Sequence, residues 1–403
     1  MIQLIPNTNN KAERSLWILC LLIWGEKIIV NYGVVILNKI TGIDYDIFYN
    51  IILPAIFVFF ITSAYPLIKS KIKPVDYIFY VLVMLVFYFS YVLNADNREY
   101  LDKFFVTLPF ICLPMYFAGV FFSFRTLKEQ LYYISIISLI GQFVFVYFIA
   151  KNVEQSYQDM DDYMVQSYQI LPYVLYTLYY AMENPNKYRI FWSLFGLFLV
   201  LSLGTRGPFL CSMIFIVTYI LIFKLSSIGI IRRIIIASGA YFFYKVIVAI
   251  LQPLLALIAS AGGSARIIEW MLGENAGAEA SSEQRVDIIN QAIDFLERNN
   301  YMGMGFAGDR VMMQGFYVHN FVIELILSYG LILGSLLLII LAYRLTKGVF
   351  SYNIEDNNKF LLLLICTGLI PLFMSGSYVD NIWFYFMLGF CTQTLRTRKL
   401  IRN

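Results

Sequence analysis

The sequence predicts an all-α integral membrane protein, and three observations carry that prediction. The 403-residue chain is 60% hydrophobic and only 14% charged, far less charge than a soluble domain of this length carries. Apolar runs long enough to cross a hydrocarbon core of about 30 Å recur along the chain. Lys and Arg divide unequally between alternate connecting segments, as they do around membrane helices.

Twelve apolar runs are expected to span the membrane, at about 16–37, 49–68, 76–93, 104–123, 131–150, 167–182, 190–204, 208–223, 234–258, 318–343, 360–376 and 382–394. The first follows Lys11 and Arg14 and lacks a small-residue cleavage site, so it is expected as a retained helix. With both termini cytoplasmic, the inner segments hold 19 of the 30 Lys and Arg residues, the outer ones 9, and the spans two, Lys27 and Lys245. That bias agrees with an even number of crossings. The five cysteines all lie in apolar runs and read as small core residues, not as a disulfide framework or metal site. The simplest organisation is one polytopic domain over residues 1–403, with a long extracytoplasmic loop at 259–316.

Two stretches outside the apolar runs are long enough to carry chemistry. Residues 151–166 ("KNVEQSYQDMDDYMVQ") are acidic and tyrosine-bearing, and 259–316 open glycine-rich. No internal repeat is visible, which disfavours a transporter built from inverted halves. Within the long loop, "SSEQRVDIINQAIDFLERNN" reads as a helix with Ser281 as cap and Gln284 completing a capping box. At 100° per residue, Ile288, Ile289, Ala292, Ile293, Phe295 and Leu296 share one face, and Asp287, Asn290, Gln291, Asp294, Glu297 and Arg298 the other. Arg285 falls with the apolar set, in the first turn. A guanidinium directed into the protein needs an anion to meet it; the alternative is that it snorkels from the helix end or pairs with a carboxylate.

A second arginine sits in "LSLGTRGPFL", where Gly204 and Gly207 bracket Arg206 and Pro208 suits the first position of the next helix. The turn falls on the outer side, where basic residues are scarce. A helix N-terminus offers free N–H groups, so an adjacent arginine makes an anion site, and its planar fork can hold two phosphate oxygens. The competing reading is an interfacial arginine that ends a turn. All four basic residues of the long loop, Arg266, Arg285, Arg298 and Arg310, are arginine as well.

The chain has one histidine, His319, in "YVHNFVIELILSYGLILGSL". A lone histidine at a helix entry is most often an interface residue with a satisfied ring. Here it follows an arginine-bearing loop, is the side-chain type suited to proton transfer near neutral pH, and has Asn320 beside it to hydrogen-bond a polar ligand. Glu324 lies four residues beyond Asn320 on the same face, and an intramembrane carboxylate is a functional candidate, with pairing to Lys27 or Lys245 as its structural alternative. No cluster of outer carboxylates with histidine is spaced as a metal site.

Three pieces in order, "LGTRG", "SSEQRVDIINQAIDFLERNNYMGMGFAG" and "VHNFVIELILSYGLILG", resemble the O-antigen ligase and O-antigen polymerase superfamily of bacterial membrane glycosyltransferases. Gly303 and Gly305 fit the Gly-x-Gly that ends the second piece, and Gly330 and Gly334 fit the Gly-x-x-Gly of the third within one spacing. The likeness covers roughly residues 195–340. Thr205 stands where the family frequently has serine.

The resemblance implies a GT-C-like glycosyltransferase of the bacterial inner membrane with its site on the extracytoplasmic face. Donor and acceptor would be undecaprenyl-pyrophosphate-linked oligosaccharides, within membrane lipid, with a chain-length regulator and a flippase as further partners and no nucleic acid. Arg206 and Arg285 would hold the donor pyrophosphate, and His319 would assist the attacking hydroxyl as general base or by positioning it. Arg266, Arg310, Tyr317, Asn320 and Glu324 would line the substrate. Neither metal nor other cofactor is implied. Polymerase is the preferred reading; ligase, which transfers the chain to the lipid A core, and a polysaccharide flippase or transporter remain alternatives.

Overall fold

The computed structural model describes residues 10–25, 53–144, 160–203, 205–225, 276–350 and 355–402. Among these residues the regular structure is helical throughout. Helices close their backbone hydrogen bonds within one segment, which is what an apolar solvent demands. In chain order the main helices are α1 (Lys11–Trp24), α2 (Leu53–Lys71), α3 (Pro74–Leu93), α4 (Phe104–Phe121), α5 (Phe124–Val144), α6 (Met160–Glu183), α7 (Lys187–Ser202), α8 (Arg206–Lys224), α9 (Ala276–Arg298), α10 (Phe321–Val349), α11 (Glu355–Gly368) and α12 (Ile382–Arg402). Among the described residues, five helical stretches are long and apolar enough to cross a bilayer: α3, α4, α8, α10, and α11 extended through Phe373. The predicted span 234–258 lies outside the described residues, and 16–37, 49–68, 131–150 and, at residue 204, 190–204 lie partly outside them.

The chain packs as two compact units, each built from separated stretches: 1–72 with 122–267, and 73–121 with 268–403. The first unit is centred on aromatic rings. Trp24 of α1 meets Tyr173 and Tyr176 of α6 edge-on at 6.2 and 5.4 Å, the arrangement ring quadrupoles favour. Their polar atoms are satisfied within the core. Trp24 Nε1 donates to Ser135 Oγ at 3.1 Å, and the Tyr173 and Tyr176 hydroxyls donate to the carbonyls of Trp24 (2.9 Å) and Lys128 (2.6 Å).

In the second unit α4 and α12 lie in backbone contact. Gly119 faces the backbone of Phe386 and Phe390, and Gly389 faces that of Tyr116; small residues at crossings are how membrane helices approach without a hydrophobic driving force. The unit also sorts its polar groups by end. At one end Arg396 of α12 grips the fully buried Asp76 of α3 through two bonds of 2.7 Å, Tyr116 adds a third at 2.9 Å, and Arg344 reaches Thr392. At the other end Asn94, Asn97 and Ser90 bind the segment at 304–306. Lys73, Arg344 and Arg396, all expected on one side of the membrane, thus fall at one end of this unit. Along α3 most apolar side chains face outward, including Val81, Leu82, Leu85 and Phe89, as suits contact with lipid.

The structure revises four expectations. The predicted span 318–343 is broken: Gly330 has φ 79° and ψ 169°, dividing α10 into Phe321–Tyr329 and Leu331–Val349. At 1.5 Å per residue the first half is about 13 Å long and the second about 28 Å, so only the second is long enough to cross a membrane. The loop helix begins at Ala276, ahead of Ser281, because Ala276, Ala278, Glu279 and Ala280 continue it with good helix formers. Ile293 is 47% exposed and not part of the buried face. Pro208 takes the third helical position of α8, where its missing N–H still costs nothing.

Candidate functional site

The residues predicted on the 303–324 segment come together in the second unit, through three connected devices. The first is the seat of the loop helix. Ala292 and Leu296 of α9 pack with Val318 and Leu327, flanked by Ile288, Phe295, Met312, Met313, Ile323 and Ile326. The predicted apolar face of α9 therefore lies on the first half of α10. Asp287, Asn290, Gln291, Asp294, Glu297 and Arg298 all face outward, as their spacing requires.

The second device joins the glycines at 303–305 to the break at Gly330. Met304 and Gly305 donate their backbone N–H groups to the carbonyls of Leu327 and Ser328, both at 2.9 Å, and Leu331 N–H donates to the Tyr301 carbonyl at 3.0 Å. A broken helix would leave these groups orphaned in an apolar surround; the inserted strand of loop satisfies them. Only glycine fits here. A Cβ on Gly303 would strike the backbone of Ser328, Tyr329 and Gly330, and one on Gly330 would sit 2.9 Å from the Tyr301 carbonyl oxygen. The inserted loop is held from its other side by Asn94 Nδ2 on the Met304 carbonyl (2.6 Å), Asn97 Nδ2 on the Phe306 carbonyl (2.7 Å), and Ser90 Oγ accepting from Phe306 N–H (2.7 Å).

The third device is a buried charge cluster. Asp309 (0% exposed), Arg310 (4%) and Glu324 (1%) are all removed from solvent. Arg310 Nη1 donates to both Asp309 oxygens at 2.6 and 2.7 Å and to Glu324 Oε1 at 2.8 Å, while Nη2 donates to Ser377 Oγ at 2.6 Å. Ser377 in turn hydrogen-bonds Glu324, and the backbone N–H groups of Val318 and Tyr378 reach Asp309 (3.2 Å) and Glu324 (3.4 Å). The guanidinium lies 5.4 Å from the Tyr317 ring centre and 5.9 Å from that of Phe104, within cation–π range. Burial pushes the Asp309 carboxyl above its ordinary value, with Arg310 opposing. Burial alone would weaken the Arg310 charge, but the two carboxylates outweigh it and hold the guanidinium protonated. Burial likewise pushes the Tyr317 phenol upward.

His319 sits between this cluster and the start of α10. Its φ is 52°, a left-handed conformation that histidine tolerates better than most side chains. Its ring centre is 4.2 Å from that of Tyr317. Asn320 caps α10, its Oδ1 accepting from Val322 N–H (3.1 Å) and Ile323 N–H (3.3 Å). Asn300, Tyr301, Ala307 and Gln314 share the left-handed backbone of His319. So many strained residues in twenty persist only where surrounding contacts over-determine the loop.

Arg206 is the first residue of α8 and half-buried, after Thr205, whose hydroxyl hydrogen-bonds Ser167. Gly207 beside it is pressed by the Tyr168 hydroxyl, so a side chain there would displace the end of that tyrosine. Arg206 belongs to the first unit. Arg285 lies on α9, with its side chain outside the described residues, as are Arg266 and Gly204 altogether. Glu324 finds Arg310 as its partner; Lys27 and Lys245, the partners considered from sequence, lie outside the described residues. Sequence reasoning missed Asp309, Ser377, Tyr378, Ser90, Asn94 and Asn97. The adjacent opposite charges of Asp309–Arg310 were the one local signal; the others meet the loop from more than 50 residues away.

Chemically, the assembly presents an imidazole and a phenol at the mouth of a helix, on a loop that buried charges and backbone pairing hold in one conformation. Comparison with protein-family profiles, with curated proteins and with solved structures finds no match for this chain.

Proposed function

We propose that this protein is a bacterial inner-membrane glycosyltransferase that joins undecaprenyl-pyrophosphate-linked oligosaccharide repeat units on the extracytoplasmic face, an O-antigen or related surface-polysaccharide polymerase. The observation that carries the reading is the ordered set of Arg-Gly turn, loop helix ending in Gly-x-Gly, and His-Asn helix with its later glycines. Its support in the fold is that the last two elements form one assembly with His319 at its mouth. In this reading the chain has about twelve spans in a GT-C-like arrangement, with both termini cytoplasmic.

The reaction is an inverting transfer. An acceptor sugar hydroxyl attacks the anomeric carbon of the donor, the bond from that carbon to the pyrophosphate oxygen breaks, and the hydroxyl proton is lost to solvent or to His319. Arg206 and Arg285 bind the pyrophosphate and stabilise charge as it leaves. Loss of one such donor costs about 3 kcal/mol, roughly 100-fold or more in rate. His319 as general base contributes about 100- to 10,000-fold. Tyr317, against the His319 ring, orients it and borders the acceptor; Asn320 and Glu324 serve mainly to shape the helix entry, and Arg310 to hold the loop.

One observation favours a transporter: the break of α10 at Gly330, since transporters bind substrates at interrupted helices. The groups freed at this break are already bonded to Tyr301, Met304 and Gly305, which leaves them unavailable to a substrate. A ligase would share the site and differ in acceptor. The test is the ladder of surface glycan and lipid-linked intermediates in a deletion strain given back wild-type, His319→Ala or Arg285→Ala protein at matched levels. A polymerase leaves single repeat units on the lipid A core when deleted. A ligase instead leaves long chains on undecaprenyl pyrophosphate and a bare core. If both variants restore a normal ladder, the site is wrong.

A further inference from the structure

The first unit carries a second feature that the proposed reaction does not use. Where α5 begins, α6 ends and α7 begins, two adjoining depressions of about 340 and 270 Å³ open on the surface. Arg125, Lys128 and Arg189 supply three positive charges against one carboxylate, Glu129, and Asn184 adds a polar side chain. The Tyr180 ring lies between them, stacked on Tyr132 at 4.3 Å. Arg189 is pre-positioned: its guanidinium covers Tyr180 at 4.7 Å and donates one bond, 2.8 Å, to the Asn184 carbonyl. That leaves further N–H groups of its fork for an anion. Lys128 lies 5.3 Å from the Tyr179 ring centre, and Arg125 is exposed.

Immediately beyond Arg189, α7 turns an apolar face outward, with Ile190, Phe191 and Leu194 exposed at 46, 57 and 60%. A cationic recess that passes within one turn into an exposed apolar helix face matches a lipid, with phosphate in the recess and acyl chains along the helix. We infer that these depressions bind the phosphate headgroup of an anionic membrane phospholipid. Free phosphate would use the recess but not the helix face, and a zwitterionic lipid would gain little from the net positive charge. This site is independent of the proposed glycosyltransferase reading and would stand if that reading fell.

The test uses purified full-length protein in neutral detergent, with bound lipid counted by native mass spectrometry. Phosphatidylglycerol is titrated in parallel with phosphatidylcholine, and inorganic phosphate is added as competitor. Arg125→Gln and the double variant Arg125→Gln/Lys128→Gln are compared with wild type; neither change touches the Arg189–Tyr180 contact. Each lost charge near the surface is worth about 1 kcal/mol, roughly fivefold in affinity. The site predicts retention of phosphatidylglycerol at least tenfold over phosphatidylcholine, a fall of about fivefold in Arg125→Gln, and a larger fall in the double variant with its melting temperature unchanged. Equal binding of both lipids, or unchanged phosphatidylglycerol binding in the double variant, would overturn the inference. Displacement by inorganic phosphate at concentrations matching the lipid would also overturn it, assigning the recess to a soluble anion.

Discussion

Arg310→Met removes the centre of the buried cluster while keeping most of the side chain's volume. Wild-type Arg310 makes four hydrogen bonds, two to Asp309, one to Glu324 and one to Ser377. Without it, two carboxylates remain buried, one met by the Val318 N–H at 3.2 Å and the other by Ser377 and the Tyr378 N–H. Removing one partner from a buried ion pair costs about 3–5 kcal/mol because the survivor is left uncompensated. That is roughly a hundred- to several-thousand-fold in the unfolding equilibrium. The triple change Asp309→Asn/Arg310→Met/Glu324→Gln removes all three charges together, and neutralised buried clusters are often no less stable than the originals. It should recover most of the loss. The assay is unfolding of the purified protein by sodium dodecyl sulfate in mild detergent, read by tryptophan fluorescence, with chymotrypsin cleavage within 299–320, at Tyr301, Phe306, Phe316 or Tyr317, as a local readout. A single variant within about 1 kcal/mol of wild type, or a triple variant no better than the single one, would refute the argument that charge compensation holds this loop.

Three further predictions rest on the same geometry. Gly330→Ala places a side chain in a backbone region open essentially to glycine, at a cost of about 1–3 kcal/mol before the clash with Tyr301 is counted; the same unfolding assay should show the loss, and an unaffected variant would mean the α10 break is not as described. Arg396→Gln leaves Asp76 buried with only Tyr116 and the Lys73 N–H to meet it, so it should destabilise the second unit by several kcal/mol; Lys at this position should recover part of the loss but not the two-pronged geometry. Because burial raises the Asp309 carboxyl above its unfolded value near 3.9, the folded state holds more proton than the unfolded one above that pH. The contribution is complete below about pH 3.9 and fades as pH rises through the folded value, so the stability difference between wild type and Asp309→Asn should shift against wild type from pH 4 upward, and a difference flat in pH would contradict the assignment.

Helical class and the apolar faces were legible in the sequence because both rest on local signals, composition and a 3.6-residue period. The outward polar face of α9 shows this most directly. Helix ends were less legible: α9 starts five residues early because alanines and a glutamate extend a helix that a capping serine alone would have stopped. The break at Gly330 was hidden inside a continuous apolar run. What makes it tolerable is the pairing of Tyr301–Gly305 with Leu327–Leu331, a non-local fact. The histidine, Tyr317, Arg310 and Glu324 were all recognisable as unusual for their surroundings. That Arg310 is spent on Asp309, Glu324 and Ser377 was not, since Ser377 joins the cluster from 67 residues along the chain.

The most direct test of the central claim is chain elongation by the purified protein, reconstituted in vesicles with undecaprenyl-pyrophosphate-linked repeat units and no metal or nucleotide. Wild type should convert single repeats into a ladder of longer lipid-linked chains with release of undecaprenyl pyrophosphate and inversion at the joined anomeric carbon. His319→Ala and Arg206→Ala should be correctly folded and slower by about 100-fold or more. No elongation by the folded wild-type protein, or wild-type rates in both variants, would contradict the account.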